Sequence, residues 1–214
     1  MRKLLLLLPL AAGPVRAQSV DATVDKLVAA YAKMRTVRAS FEQTLTNPLT
    51  GTTAVARGEM QQERPSRLSV RFTDPAGDRI VADGKFVWLY LPSTNPGQVI
   101  KMPLGDNAAT VDLTAEFLES PRSRFDITDA GTTTVGGRAT RALTLVPKGT
   151  SGDFARATVW VDTATGTLQQ FEVTDANGLV RRVRLTEVRL NVPVDRSAFR
   201  FRVPRGVSVV EQGH

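Results

Sequence analysis

Apolar residues recur at every second position over most of this chain, and at every third or fourth position over two short stretches. The densest alternation runs from Gly58 to Pro92 and predicts four strands in succession. Met60, Gln62 and Arg64 share one face of the first, and Leu68, Val70 and Phe72 one face of the second. Ile80 to Ala82 and Phe86 to Leu91 flank Asp83-Gly84, a hairpin dipeptide suited to a type I′ turn, which needs positive φ at both central residues. With that dipeptide as the loop, Ala82 pairs with Lys85. Ile80 then shares a face with Val87 and Leu89, and Val81 lies with Phe86, Trp88 and Tyr90. Both faces are apolar, so something covers each of them.

The first of these four is the end of a strand predicted from Thr53 to Glu63, and strands are also predicted over Val37 to Leu45 and Gln98 to Met102. Later ones follow at Arg124 to Thr128, Arg138 to Val146, Ala157 to Asp162, Leu168 to Thr174 and Leu179 to Leu190, eleven in all. Turn chemistry joins them at Gly131, Gly136-Gly137, Gly149 to Gly152, Thr163 to Gly166 and Asp175 to Gly178. A helix is predicted over Ser19 to Arg35, where Val20, Val24, Leu27, Val28 and Tyr31 form one stripe and Ser19 or Asp21 can cap the start. Packing on a core and service as a movable lid both fit such a helix. A second helix is predicted over Asn107 to Glu119, with Val111, Leu113, Phe117 and Leu118 on its apolar side and Pro121 ending it. Evenly spaced strands with Gly-rich turns predict an antiparallel meander. That many strands do not lie flat, so the sheet should curl into a barrel or half-barrel.

The N-terminus changes the picture of where the chain works. Arg2 and Lys3, the apolar run Leu4 to Ala12 and the small-x-small site Val15-Arg16-Ala17 predict a cleavable export signal over residues 1–17. The run is shorter than the ~20 residues a bilayer span needs. Gln18 would begin the mature chain, and residues 18–214 read as one domain, without a composition break or internal repeat. Losing Arg2, Lys3 and Arg16 takes the formal charge from +7 to +4, which suits weak attraction to an anionic surface or an acidic partner.

Chemistry narrows the function further. The chain has no Cys, and its one His is His214, so thiol, zinc and His-based catalysis have no foundation. There is no G-x-S-x-G elbow or phosphate-binding glycine loop. No catalytic residue, metal site or cofactor is expected, and the chain is not read as an enzyme. Arg181, Arg182 and Arg184 form the densest basic run. It fits a solvated outer face, or a docking patch for an acidic partner or lipid headgroups. Nucleic-acid binding would want interleaved aromatics, which this strand lacks. A curled sheet with one apolar concave face either packs a filled core or encloses a hydrophobic ligand.

Several motifs, in order, resemble the LolA family of periplasmic outer-membrane lipoprotein carriers. They are A-S-F-E-Q at Ala39 to Gln43, Gly58-Glu59-Met60 with Glu63-Arg64-Pro65, the hairpin from Ile80 to Pro92, L-T-L-V-P-K at Leu143 to Lys148, Gly166 to Phe171, and F-R-F-x-x-P-x-G-V at Phe199 to Val207. The resemblance implies an incomplete antiparallel barrel of about eleven strands covered by a helical lid. It also implies a periplasmic, monomeric carrier of acylated lipoproteins. Such a carrier takes them from a lipoprotein-releasing ABC transporter of the inner membrane to an outer-membrane receptor or the outer membrane itself. A carrier or sensor of free lipid or glycolipid on the same half-barrel is the alternative. Arg64 matches the family's lid-holding arginine. Strand faces then nominate Phe41, Met60, Leu68, Val70, Phe72, Ile80, Val87, Leu89, Leu143, Leu145, Phe171, Val183 and Leu185 as cavity residues. Val24, Leu27, Val28, Leu113 and Phe117 would line the lids. Gln61 stands where family members carry Trp, and the strand from Leu68 to Phe72 also lacks Trp and carries Arg71.

Overall fold

The computed structural model describes residues 19–104, 114–149 and 154–212. The expected signal segment, Val111 and Leu113 of the second helix, Gly152 and His214 lie outside them.

Among the described residues, twelve strands form one sheet. In chain order they are β1 (Thr36–Asn47), β2 (Thr52–Glu63), β3 (Arg67–Asp74), β4 (Ala76–Asp83), β5 (Phe86–Tyr90), β6 (Gln98–Pro103), β7 (Phe125–Val135), β8 (Arg138–Pro147), β9 (Arg156–Asp162), β10 (Leu168–Thr174), β11 (Val180–Leu190) and β12 (Ser208–Glu211). The sheet order is β12-β6-β5-β4-β3-β2-β1-β11-β10-β9-β8-β7. Two antiparallel meanders therefore meet where β1 pairs with β11, and β7 and β12 remain as edges. The sheet is an open barrel. β12 is the strand the alternation pattern did not predict; it adds to β6 in parallel, so the C-terminal segment extends the meander by one strand and becomes its edge.

That segment also answers the question of the doubly apolar hairpin. Phe201 stacks on Trp88 at 5.4 Å and meets Tyr90 at 6.1 Å, covering the outer side of β5. The inner side of β4 and β5 faces the concavity. The hairpin register differs from the expected one: Ala82 pairs with Val87, not Lys85, so the turn centres on Gly84-Lys85. Asp83 is the cause. Its carboxylate accepts the amides of Lys85 and Phe86 and the indole N–H of Trp88, all at 2.8–2.9 Å. Burial opposes ionisation of this carboxyl, but those donors outweigh it and hold it below its ordinary value. The slip is two residues, so every side chain keeps its expected face.

Helix α1 (Val20–Ala32) is capped by Ser19, whose Oγ accepts the amide of Ala22 at 3.1 Å. Of the expected second helix, the described part holds α2 (Ala115–Leu118), and a further short helix, α3 (Pro121–Arg124), follows it. Pro121 opens α3 at a first-turn position, where the missing N–H costs nothing. Buried apolar residues of β7, β8 and β9 pack with the helices in one core that includes Val24, Phe117, Phe125, Leu143, Leu145, Phe154 and Val159.

Candidate functional site

The rest of the concavity is not filled. A cavity of about 1020 Å³ runs beneath α1 and α2. Its walls follow directly from strand alternation. β1 contributes Val37, Phe41 and Gln43; β2 contributes Met60 and Gln62; β3 contributes Leu68, Val70 and Phe72; β4, β5 and β6 contribute Ile80, Val87 and Met102. On the far wall stand Leu168, Phe171 and Val173 of β10, with Val183, Leu185, Val188 and Leu190 of β11. Cross-strand register aligns them in rows, such as Met60 beside Val70 beside Ile80. Gly58 is essential to one row. Phe41 and Phe72 flank it and pack edge-on at 5.4 Å, and a Cβ on Gly58 would lie 2.7 Å from Phe41 Cζ and 2.4 Å from the carbonyl oxygen of Arg71.

The roof is the face of α1 carrying Leu27, Ala30 and Tyr31 at spacing i, i+3, i+4, with Met34 just past the helix end. Phe117 of α2 completes it, buried against Phe171 at 5.6 Å and Phe154 at 5.7 Å.

Polar attachments spread along its length tie α1 to the elements around the opening. At its C-terminal end, Arg64 Nη1 donates to the carbonyls of Tyr31 at 3.1 Å and Met34 at 3.4 Å. Its guanidinium sits 4.0 Å from the Tyr31 ring centroid, and Nη2 lies 3.7 Å from Glu119, just past α2. No basic residue stands in the last turn of α1, so Arg64 supplies the positive charge that a helix C-terminus favours. Midway, Lys26 Nζ donates to the Thr163 carbonyl at 2.6 Å, and Gly166 lies so close that a Cβ would reach the Lys26 carbonyl oxygen at 2.6 Å. At the N-terminal end, Arg122 of α3 pairs with Asp25 at 2.8 Å and Asp21 at 3.4 Å, and it donates to the Asp21 carbonyl at 3.0 Å. The hydrogen bonds and charges of those two acids raise the basicity of the Arg122 guanidinium.

Of the residues nominated from strand faces, Phe41, Met60, Leu68, Val70, Phe72, Ile80, Val87, Phe171, Val183 and Leu185 lie together on the cavity wall. Leu143 and Leu145 do not. They point inward as expected, but the space before them is filled by core, and no strand residue of β7, β8 or β9 reaches the cavity. Leu89, farther along β5 than Val87, is half-buried and also stays off the wall. Among lid residues, Leu27 and Phe117 face the cavity. Val24 and Val28 belong to the neighbouring stripe of α1, buried in or against the core. Residues not nominated include Tyr31, Met34, Phe154, Met102 and Gln62. Gln62 alternates in phase with Met60, so the period itself marks it; its polarity hid it.

The basic run divides by strand face. Arg182 Nε bonds Glu172 at 2.7 Å and Arg184 bonds Glu42 at 3.1 Å, both on the outer surface, whereas Arg181 lines the cavity end with Asp175 and Leu179.

The model of the family described as outer membrane lipoprotein carrier protein LolA matches residues 32–202. The chain belongs to the LolA family. The outer-membrane lipoprotein carrier protein of Methylibium petroleiphilum is 30% identical over 206 residues, covering 95% of this chain and 94% of its own. The protein of that name in Methylobacillus flagellatus is 28% identical over 187 residues, covering 87% of this chain and 88% of its own. The crystal structure of an uncharacterized conserved protein from Thermus thermophilus superposes with a TM-score of 0.56 at 16% identity. It covers 91% of this chain and 100% of its own, a likeness of fold.

Proposed function

We propose that this protein is a periplasmic carrier of acylated lipoproteins. It accepts them as they leave the inner membrane, shields their acyl chains in the cavity beneath α1, and delivers them to the outer membrane. The observation that carries this reading is an apolar cavity of about 1020 Å³ roofed by a helix whose attachments are polar. Family membership and the names of the relatives supply the cargo class. The transporter of the inner membrane and the receptor of the outer membrane are the partners such a route requires. The expected export signal supplies the compartment.

The physics fits the task. Burial of acyl chains contributes about 0.8 kcal/mol per methylene, so exposing three ordinary chains to water costs on the order of 30 kcal/mol. A shielding cavity removes that barrier. Release then requires that the loaded state not be much more stable than the empty one, and two lid states provide this balance. In the closed state of this proposal, Arg64 and its partners hold the roof down. In the loaded state the acyl chains displace Leu27, Tyr31 and Phe117, and the latches open. No chemical step is involved, so the reading is of a carrier and not an enzyme.

The test is lipoprotein release from energised spheroplasts. Incubation with the purified protein is expected to yield a triacylated lipoprotein in the supernatant, bound to it. Failure to release any lipoprotein, with free lipid co-purifying instead, would assign the same cavity to a lipid carrier.

A further inference from the structure

Gln62 is 2% exposed and lies on the cavity wall between Val37 of β1 and Leu68 of β3. Its side-chain Nε2 has no hydrogen-bond partner among the described residues. An amide donor left unpaired among apolar neighbours is destabilising, and a Met or Leu here would avoid the loss. The other neutral polar residues on the wall, Gln43, Thr114 and Thr167, are half-buried and closer to solvent.

Position along β2 says what the donor faces. Every second residue points inward, and polarity falls steadily in one direction. Arg64, 24% exposed at its side chain, touches the lid. Gln62 comes next, then Met60, then Gly58 under the Phe41 ring. An acyl chain has the same gradient: a polar head, one carbonyl at the junction, then hydrocarbon. A buried neutral donor suits a neutral acceptor, because a carboxylate would lose its hydration there without a countercharge.

We infer that Gln62 is a ligand-binding residue that donates a hydrogen bond to the ester or amide carbonyl of a bound acyl chain, setting its depth and direction in the cavity. The inference rests on the lipid-carrier reading and names the group within the cargo that the cavity recognises.

Two probes of similar length test it: methyl palmitate, which carries an ester carbonyl, and octadecane, which carries none. Each is titrated against a cavity-bound fluorescent dye, using the wild-type protein and Gln62→Met, which keeps the side-chain volume and removes the donor. Wild type should prefer methyl palmitate by roughly three- to tenfold beyond the preference of Gln62→Met, the size expected of one such hydrogen bond. With carbonyl-labelled methyl palmitate, the infrared carbonyl band should lie at lower frequency in wild type than in the variant. Gln62→Met should also melt at a higher temperature when empty, because the unpaired donor is gone.

Equal preference and equal carbonyl frequency in the two proteins would overturn the role of Gln62 and leave the cavity reading standing. Failure of wild type to bind either probe saturably would sink both. In the spheroplast assay, the source of the carbonyl is read from which complex Gln62→Met depletes, lipoprotein or phospholipid.

Discussion

The guanidinium of Arg64 caps α1 twice over: it bonds the backbone carbonyl of Tyr31 at 3.1 Å and lies 4.0 Å from the centroid of that residue's own ring. A hydrogen bond from a charged donor contributes about 1.5–3 kcal/mol. A cation–π contact adds about 0.5–1 kcal/mol at a partly exposed site. The Met34 bond, at 3.4 Å, and the Glu119 pair, at 3.7 Å, add less. Carrying a two-state equilibrium from 99:1 to 1:99 takes about 5.5 kcal/mol. Arg64 alone supplies a large part of that, which is the ground for proposing it as the latch of the lid.

Arg64→Leu should therefore shift the protein toward the open state. The expected result is faster uptake of a hydrophobic dye, a longer-lived lipoprotein complex and poor hand-over to outer-membrane vesicles. Delivery at the wild-type rate by this variant would show that the latch lies elsewhere.

The attachment by Arg122 is of a different kind. Its partners, Asp21 and Asp25, are largely exposed, and the guanidinium is itself nearly half exposed. Such pairs are screened by salt, and the Debye length shrinks to about 3 Å at 1 M. Dye uptake by wild type should therefore accelerate as salt is raised, while Arg122→Gln should be fast at low salt and nearly insensitive. Parallel salt curves for the two proteins would remove Arg122 from the lid.

Gly58→Ala tests the wall. The added Cβ meets a backbone oxygen at 2.4 Å and the Phe41 ring at 2.7 Å, and only the ring can move. Overpacking of this kind costs about 1–3 kcal/mol. Urea denaturation should show that loss. The displaced Phe41 ring should also reduce dye capacity, an effect distinct from the stability change.

Much of this architecture was readable as alternation. Met60, Val70 and Ile80 line up across β2, β3 and β4 because each strand keeps one face apolar; that pattern anticipated a barrel or half-barrel, and the LolA resemblance implied an incomplete one. Alternation reports which way a side chain points and not what fills the space before it. Leu143 and Leu145 point inward like Val183 and Leu185, yet the first pair meets core and the second meets the cavity. The distinction depends on where α1 and α2 lie, which local pattern does not encode. Lys26 and Arg122 were invisible as lid contacts for the same reason: Thr163 and Asp25 lie far away in sequence. Gln62 was legible by phase, and its burial without a partner emerges only once Val37 and Leu68 stand beside it.

The hairpin at Asp83 gives a prediction in pH. Its carboxyl is held below the ordinary value of 3.8 by the Trp88 indole and the amides of Phe86 and Lys85, which prevail over burial. The folded protein thus binds a proton here less readily than the unfolded chain. Above the ordinary value both states are ionised, and the stabilisation is complete. As pH falls below it, the unfolded chain takes up the proton first, so stability declines until the folded carboxyl is protonated too. Asp83→Asn has no such proton to bind. The stability advantage of wild type over Asp83→Asn, measured by urea denaturation, should be constant near neutrality and shrink as pH is lowered from about 5 to about 2. A difference that stays constant across that range would mean the carboxylate is not held by these donors. The same titration, followed by Trp88 fluorescence, should report the loosening locally, because the indole N–H bonds Asp83 at 2.9 Å.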